Sequence, residues 1–214
     1  MTCCQCVGIE RQFDDAVARR HMKRYKRRGP AKMTRVLLDA LISEGAAHAT
    51  FLDVGGGVGA IQFGLLEAGA AGGTSVDASP AYLEAARQEA SSRGHAGRVR
   101  YVAGDVVEVQ HGIEPADLVA LDRVICCYHD MPALVDATAS RARRAYALVY
   151  PRDTRLTRLA IGLLNLAQRL RRHPFRAFVH PTSAVEARVE AHGFRRVFLR
   201  RSILWQAVVF RAAA

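Results

Sequence analysis

The stretch Phe51-Leu52-Asp53-Val54-Gly55-Gly56-Gly57-Val58-Gly59-Ala60 decides how this 214-residue sequence is read. A short apolar run enters a cluster of glycines, and helical spacing resumes from Ala60 through Ile61, Leu65 and Leu66. The expected structure is a buried strand, a tight turn and a helix. Such a turn lets a ligand touch the backbone closely. Gly55, Gly57 and Ala60 also satisfy the dinucleotide pattern GxGxxA. Asp53 argues against a dinucleotide. It stands two residues before the first glycine, at the mouth of the strand, where a pyrophosphate would be repelled by its carboxylate. A cationic ligand suits the position better.

The same alternation extends on both sides. Upstream, residues 9 to 28 predict one basic helix, broken by Gly29-Pro30. A second helix follows, with Val36, Leu37, Ala40 and Leu41 on one face. Downstream, strands are predicted over 74–77, 99–103, 117–124 and 145–150, with helices over 80–91 and 132–142. Strands alternating with helices imply an α/β fold, a parallel sheet with helices on both faces. The end of the chain differs. An amphipathic helix is expected over 156–170, carrying Leu156, Leu159, Leu163, Ala167 and Leu170 on one face among many arginines. Another helix covers 181–191. Strands at 194–200 and 203–210 then close the chain as an antiparallel hairpin. No internal repeat or long linker divides the sequence, so a single domain over 1–214 is expected. Residues 1–45 would be a helical cap and 153–175 a helical insertion or lid.

Two further acids follow at strand ends. Asp77 closes the second strand, placed to accept both hydroxyls of a ribose. Ser79, before Pro80, is the better helix cap. Asp105, in Gly104-Asp105-Val106 after the third strand, can accept from an adenine amino group. In this order the acids and glycines resemble those of the class I methyltransferases that use S-adenosylmethionine (SAM). The resemblance covers roughly residues 50–150 by motif. It implies a Rossmann-like seven-stranded sheet with a reversed last hairpin, and SAM as cofactor. SAM carries an ammonium and a sulfonium but no phosphate, which agrees with Asp53. By position, Asp53, Gly55, Gly56, Gly57 and Gly59 would line the methionine end. Asp77 and Ala78 would hold the ribose. Asp105 and Val106 would flank the adenine, and Asp122 at the end of the fourth strand would border the sulfonium.

The segment after that strand, Asp122-Arg123-Val124-Ile125-Cys126-Cys127-Tyr128-His129, is where such enzymes set their acceptor chemistry. The Asn/Asp-Pro-Pro-Tyr/Phe motif of methyltransferases acting on bases and protein amides is absent. The layout of the C-terminal half is similar to that of magnesium-protoporphyrin O-methyltransferases, which implies a small-molecule acceptor. His129 is the candidate base, since histidine titrates near neutrality, or else a surface histidine at a helix start. Tyr128 is expected to orient the acceptor, or else to serve as core. Arg123 is expected to pair an acidic acceptor, or to form a structural ion pair with Asp122. From the N-terminal cap, Arg20 and Tyr25 are expected to close over the cofactor.

Composition bounds the alternatives. Half of the residues are hydrophobic and the net charge is +11. The sequence has no secretory pattern and no uncharged apolar run of about 18 residues, so a cytoplasmic location is expected. Much of the charge lies in Arg19-Arg20-His21-Met22-Lys23-Arg24-Tyr25-Lys26-Arg27-Arg28. That run suits nucleic acid, an anionic membrane or an acidic small molecule, or is a solvated helix face. The leucine helix is expected to pack against the sheet edge, with a lid or a peripheral membrane contact as alternatives. Cys3, Cys4 and Cys6 include one CxxC pair without a second half, so no metal site is expected. A small-molecule methyltransferase leads the readings. An RNA or DNA methyltransferase, a non-enzymatic SAM binder and a nicotinamide enzyme follow it.

Overall fold

A computed structural model describes residues 4–213, with side chains from residue 8 onward. The CxxC thiols of Cys3 and Cys6, and that of Cys4, lie outside this description. The chain runs α1 (Cys4–Gln12), α2 (Asp15–Arg28), α3 (Lys32–Ser43), β1 (Thr50–Val54), α4 (Ala60–Glu67), β2 (Gly72–Asp77), α5 (Pro80–Ser92) and β3 (Val99–Ala103). It continues α6 (Val106–Val109), β4 (Ala116–Asp122), α7 (Met131–Ala139), β5 (Ala142–Pro151), α8 (Arg155–Leu170), α9 (Thr182–Glu190), β6 (Phe194–Arg201) and β7 (Trp205–Ala212).

The strands form one seven-stranded sheet in the order β3-β2-β1-β4-β5-β7-β6. The first five are parallel, and β7 runs antiparallel to both β5 and β6. This is the Rossmann-like sheet with a reversed hairpin that the sequence implied. Its central strands are apolar almost throughout because helices cover both faces. On one face Phe51, Leu118, Ala147 and Val209 meet Leu37 and Leu41 of α3 and Ile61 and Leu65 of α4. On the other, Leu52, Leu121, Leu148 and Val208 meet Leu134 and Val135 of α7 and Val185 of α9. Alternation along each strand divides the two layers. Gly73 on β2 faces β1 so closely that an added methyl would collide with the Phe51 carbonyl oxygen and ring. Neither can retreat without opening the sheet. Gly73→Ala is therefore expected to cost about 3 kcal/mol in urea unfolding. Gly162→Ala, on open helix surface, is expected to be neutral or stabilising.

Three sequence expectations need correction. The single helix over 9–28 is two helices. Asp14 adopts an extended backbone and its carboxylate accepts from Val17 N at 2.9 Å, starting α2 afresh. The break turns Phe13 inward onto Tyr82 and Phe175, with ring centroids 5.6 and 5.9 Å apart. The fourth strand ends at Asp122 rather than at residue 124. Arg123 takes φ 64°, and a 3-10 turn covers Ile125–Cys127. The leucines of α8 do not pack against the sheet edge. Leu156, Leu159, Leu163 and Leu170 are all exposed.

Candidate active site

The C-terminal ends of β1, β2 and β4 open into a cavity of about 440 Å³. Ligands of parallel α/β sheets bind at that edge, where neighbouring crossovers leave the sheet to opposite sides. The glycine loop forms its floor. Gly55 has φ 59°, and a Cβ there would stand 2.5 Å from Val124 Cγ2, so only glycine lets the loop pass beneath the β4 turn.

Four aspartates surround the space. Asp53 is 1% exposed, and neither of its carboxylate oxygens has a hydrogen-bond partner among the described residues. Burial pushes its carboxyl up to about 8, and the charges of Asp122 and Asp77 add to this. Asp77 accepts from Gly57 N at 3.0 Å and from Ser79 N at 2.8 Å. Burial still raises it to about 6, against those two N–H groups. Ser79 caps α5 by accepting from Tyr82 N at 3.3 Å. Asp105 caps α6 through Val107 N at 2.9 Å, and the Tyr128 hydroxyl donates to its other oxygen at 2.8 Å. Asp122 accepts from Thr34 Oγ1 at 2.6 Å and from Arg123 Nε and Nη2 at 3.1 and 3.0 Å. The cavity is thus locally acidic inside a protein of net charge +11. A buried carboxylate with no donor is costly unless a cation or a proton joins it.

Among the residues named from the sequence, Asp53, Gly55, Gly56, Gly57, Asp77, Ala78, Asp105, Val106, Asp122, Arg123 and Tyr128 all line this cavity. Gly59 lies behind the floor, at the start of α4. His129 does not reach the cavity. It is exposed and stacks on the Tyr128 ring at 5.6 Å, because the chain turns outward to begin α7 at Asp130. Tyr128 directs its hydroxyl to Asp105. The expected cap residues also face elsewhere. Tyr25 stacks on Phe63 beneath the Arg93 guanidinium, and Arg20 joins Lys23, Arg24, Arg27 and Arg28 on the outer face of α2.

His21 is the residue that sequence reading missed. It lines the cavity with its Nδ1 2.6 Å from the Tyr82 hydroxyl. Burial lowers its pKa first, then Arg20, Arg123 and Arg24. The spacing Ala18, His21, Tyr25 marks the inward face of α2, a signal hidden by the surrounding charge. The far end of the cavity is apolar: Ile9 and Phe13 of the cap, Ile161 and Leu164 of α8, Phe175, and Trp205. Cys126 and Cys127 also face it, their sulfurs 3.9 Å apart above the Arg123 carbonyl. His180 holds this turn through the Ile125 and Tyr128 carbonyls at 3.1 and 2.9 Å.

Residues 51–147 match a family described as a methyltransferase domain. No curated protein matches the sequence significantly. Among solved structures, the magnesium protoporphyrin IX methyltransferase of Synechocystis PCC 6803, with bound SAH, superposes with a TM-score of 0.76 at 17% identity, covering 98% of this chain and 100% of that one. An O-methyltransferase family protein from Burkholderia thailandensis gives 0.70 at 18% identity, over 94% of this chain and 61% of that one. A protein of Pyrococcus horikoshii described as a candidate RNA methyltransferase gives 0.62 at 14% identity, over 87% and 84%.

Proposed function

We propose that this chain is a SAM-dependent methyltransferase of the class I superfamily, a reading supported by the match of residues 51–147 to a methyltransferase domain, and that it methylates a small acceptor with an apolar body and an anionic group. The observation that carries this reading is the division of the cavity. Four aspartates line one part of it, apolar side chains line another, and Arg123, bonded to Asp122, lines it too.

In this reading Asp53 and the Gly55–Gly57 loop hold the methionine end of SAM, and Asp53 gains the cation it lacks. Asp77 and Ala78 take the ribose. Asp105 and Val106 take the adenine, with Tyr128 fixing Asp105 from behind. When bound, SAM supplies an electrophilic methyl carbon on positively charged sulfur. The chain's own task is then to align the acceptor and exclude water. Phe13, Ile161, Leu164 and Trp205 enclose its apolar body. Arg123 spends Nε and Nη2 on Asp122 and Thr34, which leaves Nη1 for the acceptor's anionic group. An acceptor that is already ionised needs no base. For one that carries a proton, His21 is the base. Its lowered pKa favours the neutral ring at pH 7, and in the tautomer whose Nδ1–H donates to Tyr82, Nε2 bears the lone pair.

Methyl-labelled SAM and fractionated cell extract test the reading. Label is expected in small acidic compounds, and far less of it with Arg123→Gln. With such an acceptor, if it carries a proton, His21→Phe is expected to lower kcat about 100-fold. His129→Ala should leave kcat unchanged, and the reverse pattern would remove His21 from the chemistry. One observation favours a second reading, methylation of RNA or DNA: the cluster Arg20, Lys23, Arg24, Arg27 and Arg28 on α2. Label appearing in nucleic acid, with steeply salt-dependent binding, would decide for it.

A further inference from the structure

Helix α8 is built inside out for a surface helix. Its polar side chains face the protein. Asn165 exchanges two hydrogen bonds with the Ala177 backbone at 2.8 and 2.9 Å, Gln168 donates to Gln12 at 2.9 Å, and Thr157 is buried. Its leucines face outward: Leu156, Leu159, Leu163, Leu166 and Leu170 are 52–78% exposed. At 100° per residue they fall in a sector about 80° wide, a continuous stripe rather than scattered contacts. Ile203 is also 74% exposed. Its turn sits beside the start of α8, where Arg152 Nη1 donates to the Ser202 carbonyl at 2.9 Å.

The charge around the stripe is predominantly positive, with Asp153 paired to Arg158 at the start of the helix. No acidic residue occurs between Asp153 and Glu186, whereas Arg155, Arg158, Arg169, Arg171, Arg172 and Arg176 all do. A second copy of the chain is a poor occupant. A two-fold contact would set these arginines against their own copies, with the Asp153 carboxylate, already taken by Arg158 Nε at 2.6 Å, as the one acid beside them. Anionic lipid headgroups complement them, and acyl chains complement the leucines. No helix among the described residues is long and apolar enough to cross a membrane, so α8 would lie in the interface plane.

We propose that α8 docks this protein onto the surface of a bilayer containing anionic lipid, with the leucine stripe in the acyl boundary and the arginines at the headgroups. Ile161 on the opposite face of the same helix and Leu164, at the flank of the stripe and itself 45% exposed, both line the cavity, so the contact lies beside the cavity's apolar lining. The proposal rests on the helix and not on the identity of the acceptor.

Flotation with lipid vesicles tests it. The full chain is expected to bind phosphatidylcholine vesicles containing phosphatidylglycerol, to ignore vesicles of phosphatidylcholine alone, and to release in high salt. Leu159→Glu combined with Leu163→Glu should cut the bound fraction about tenfold or more, because two buried apolar side chains become anions. These positions do not line the cavity, so melting temperature and SAM affinity should be unchanged. Three results would overturn the proposal. One is no vesicle binding by the parent chain. Another is binding that the leucine substitutions leave intact. The last is a solution dimer, without vesicle binding, that those substitutions convert to monomer, which would assign the stripe to a second copy.

Discussion

Asp77→Ala is expected to weaken SAM binding about 100-fold while leaving the protein folded. Under the proposed assignment the carboxylate accepts from both ribose hydroxyls. A hydrogen bond to a charged group contributes about 1.5–3 kcal/mol, so losing two removes roughly 3 kcal/mol or more. Each 1.4 kcal/mol is about tenfold in affinity. Calorimetry with SAM and SAH should show the same loss for both, since the ribose is common to them. Asp77→Asn, which keeps one acceptor, should lose less.

Two structural side effects can be separated from that result. Gly57 and Ser79 lose the carboxylate that accepts their N–H groups, which should lower stability by about 1 kcal/mol. The loss of one negative neighbour should also lower the Asp53 pKa, since Asp77 helps to raise it. That change favours binding of a cation, so it cannot account for weaker affinity. Unchanged affinity in Asp77→Ala would remove Asp77 from the site and with it the ribose assignment.

The acids were legible because parallel strands bring their C-terminal ends to one edge. Asp53 is the penultimate residue of β1, Asp77 the last of β2, and Asp105 stands two residues past β3, so reading the strand ends places them together. The glycine loop was legible for the same reason. What the sequence hid depends on contacts between distant segments. His21 and Tyr82 are 61 positions apart, and nothing local says that α2 turns this face to the cavity. The break at Asp14 hid within the helical spacing of Phe13, Ala16, Val17 and Arg20, although aspartate is a strong cap. His129 and Tyr128 looked equivalent beside β4. The left-handed turn at Arg123 and the 3-10 turn after it direct one toward Asp105 and the other to solvent. For α8, periodicity revealed an apolar face but not its direction. The polar face is the one held to the body, through Asn165 and Gln168.

SAM affinity is expected to rise about tenfold per pH unit from pH 6 to 8 and to level off above that, because Asp53 must lose a proton to receive a cation. In the unliganded protein burial holds its carboxyl at about 8, so at pH 7 it is mostly protonated. An ammonium or sulfonium beside it restores the carboxylate, and binding expels about one proton at pH 7. Calorimetry in buffers of different ionisation heat counts that proton directly. Asp77, raised to about 6, adds a contribution of the same sign at lower pH. Stability of the unliganded protein should move the other way. An acid whose folded pKa exceeds its unfolded value of about 3.9 holds extra protons in the folded state between those two values. Stability from Asp53 is therefore full below about pH 4 and is lost as pH rises toward 8, so saturating SAM should protect most at the alkaline end. Asp53→Asn keeps the shape and removes the titration. Its affinity should be flat from pH 6 to 8 and lower than that of the parent at pH 8. A parent protein that binds SAM without releasing a proton, at an affinity independent of pH, would show that Asp53 is not the group that meets the cation.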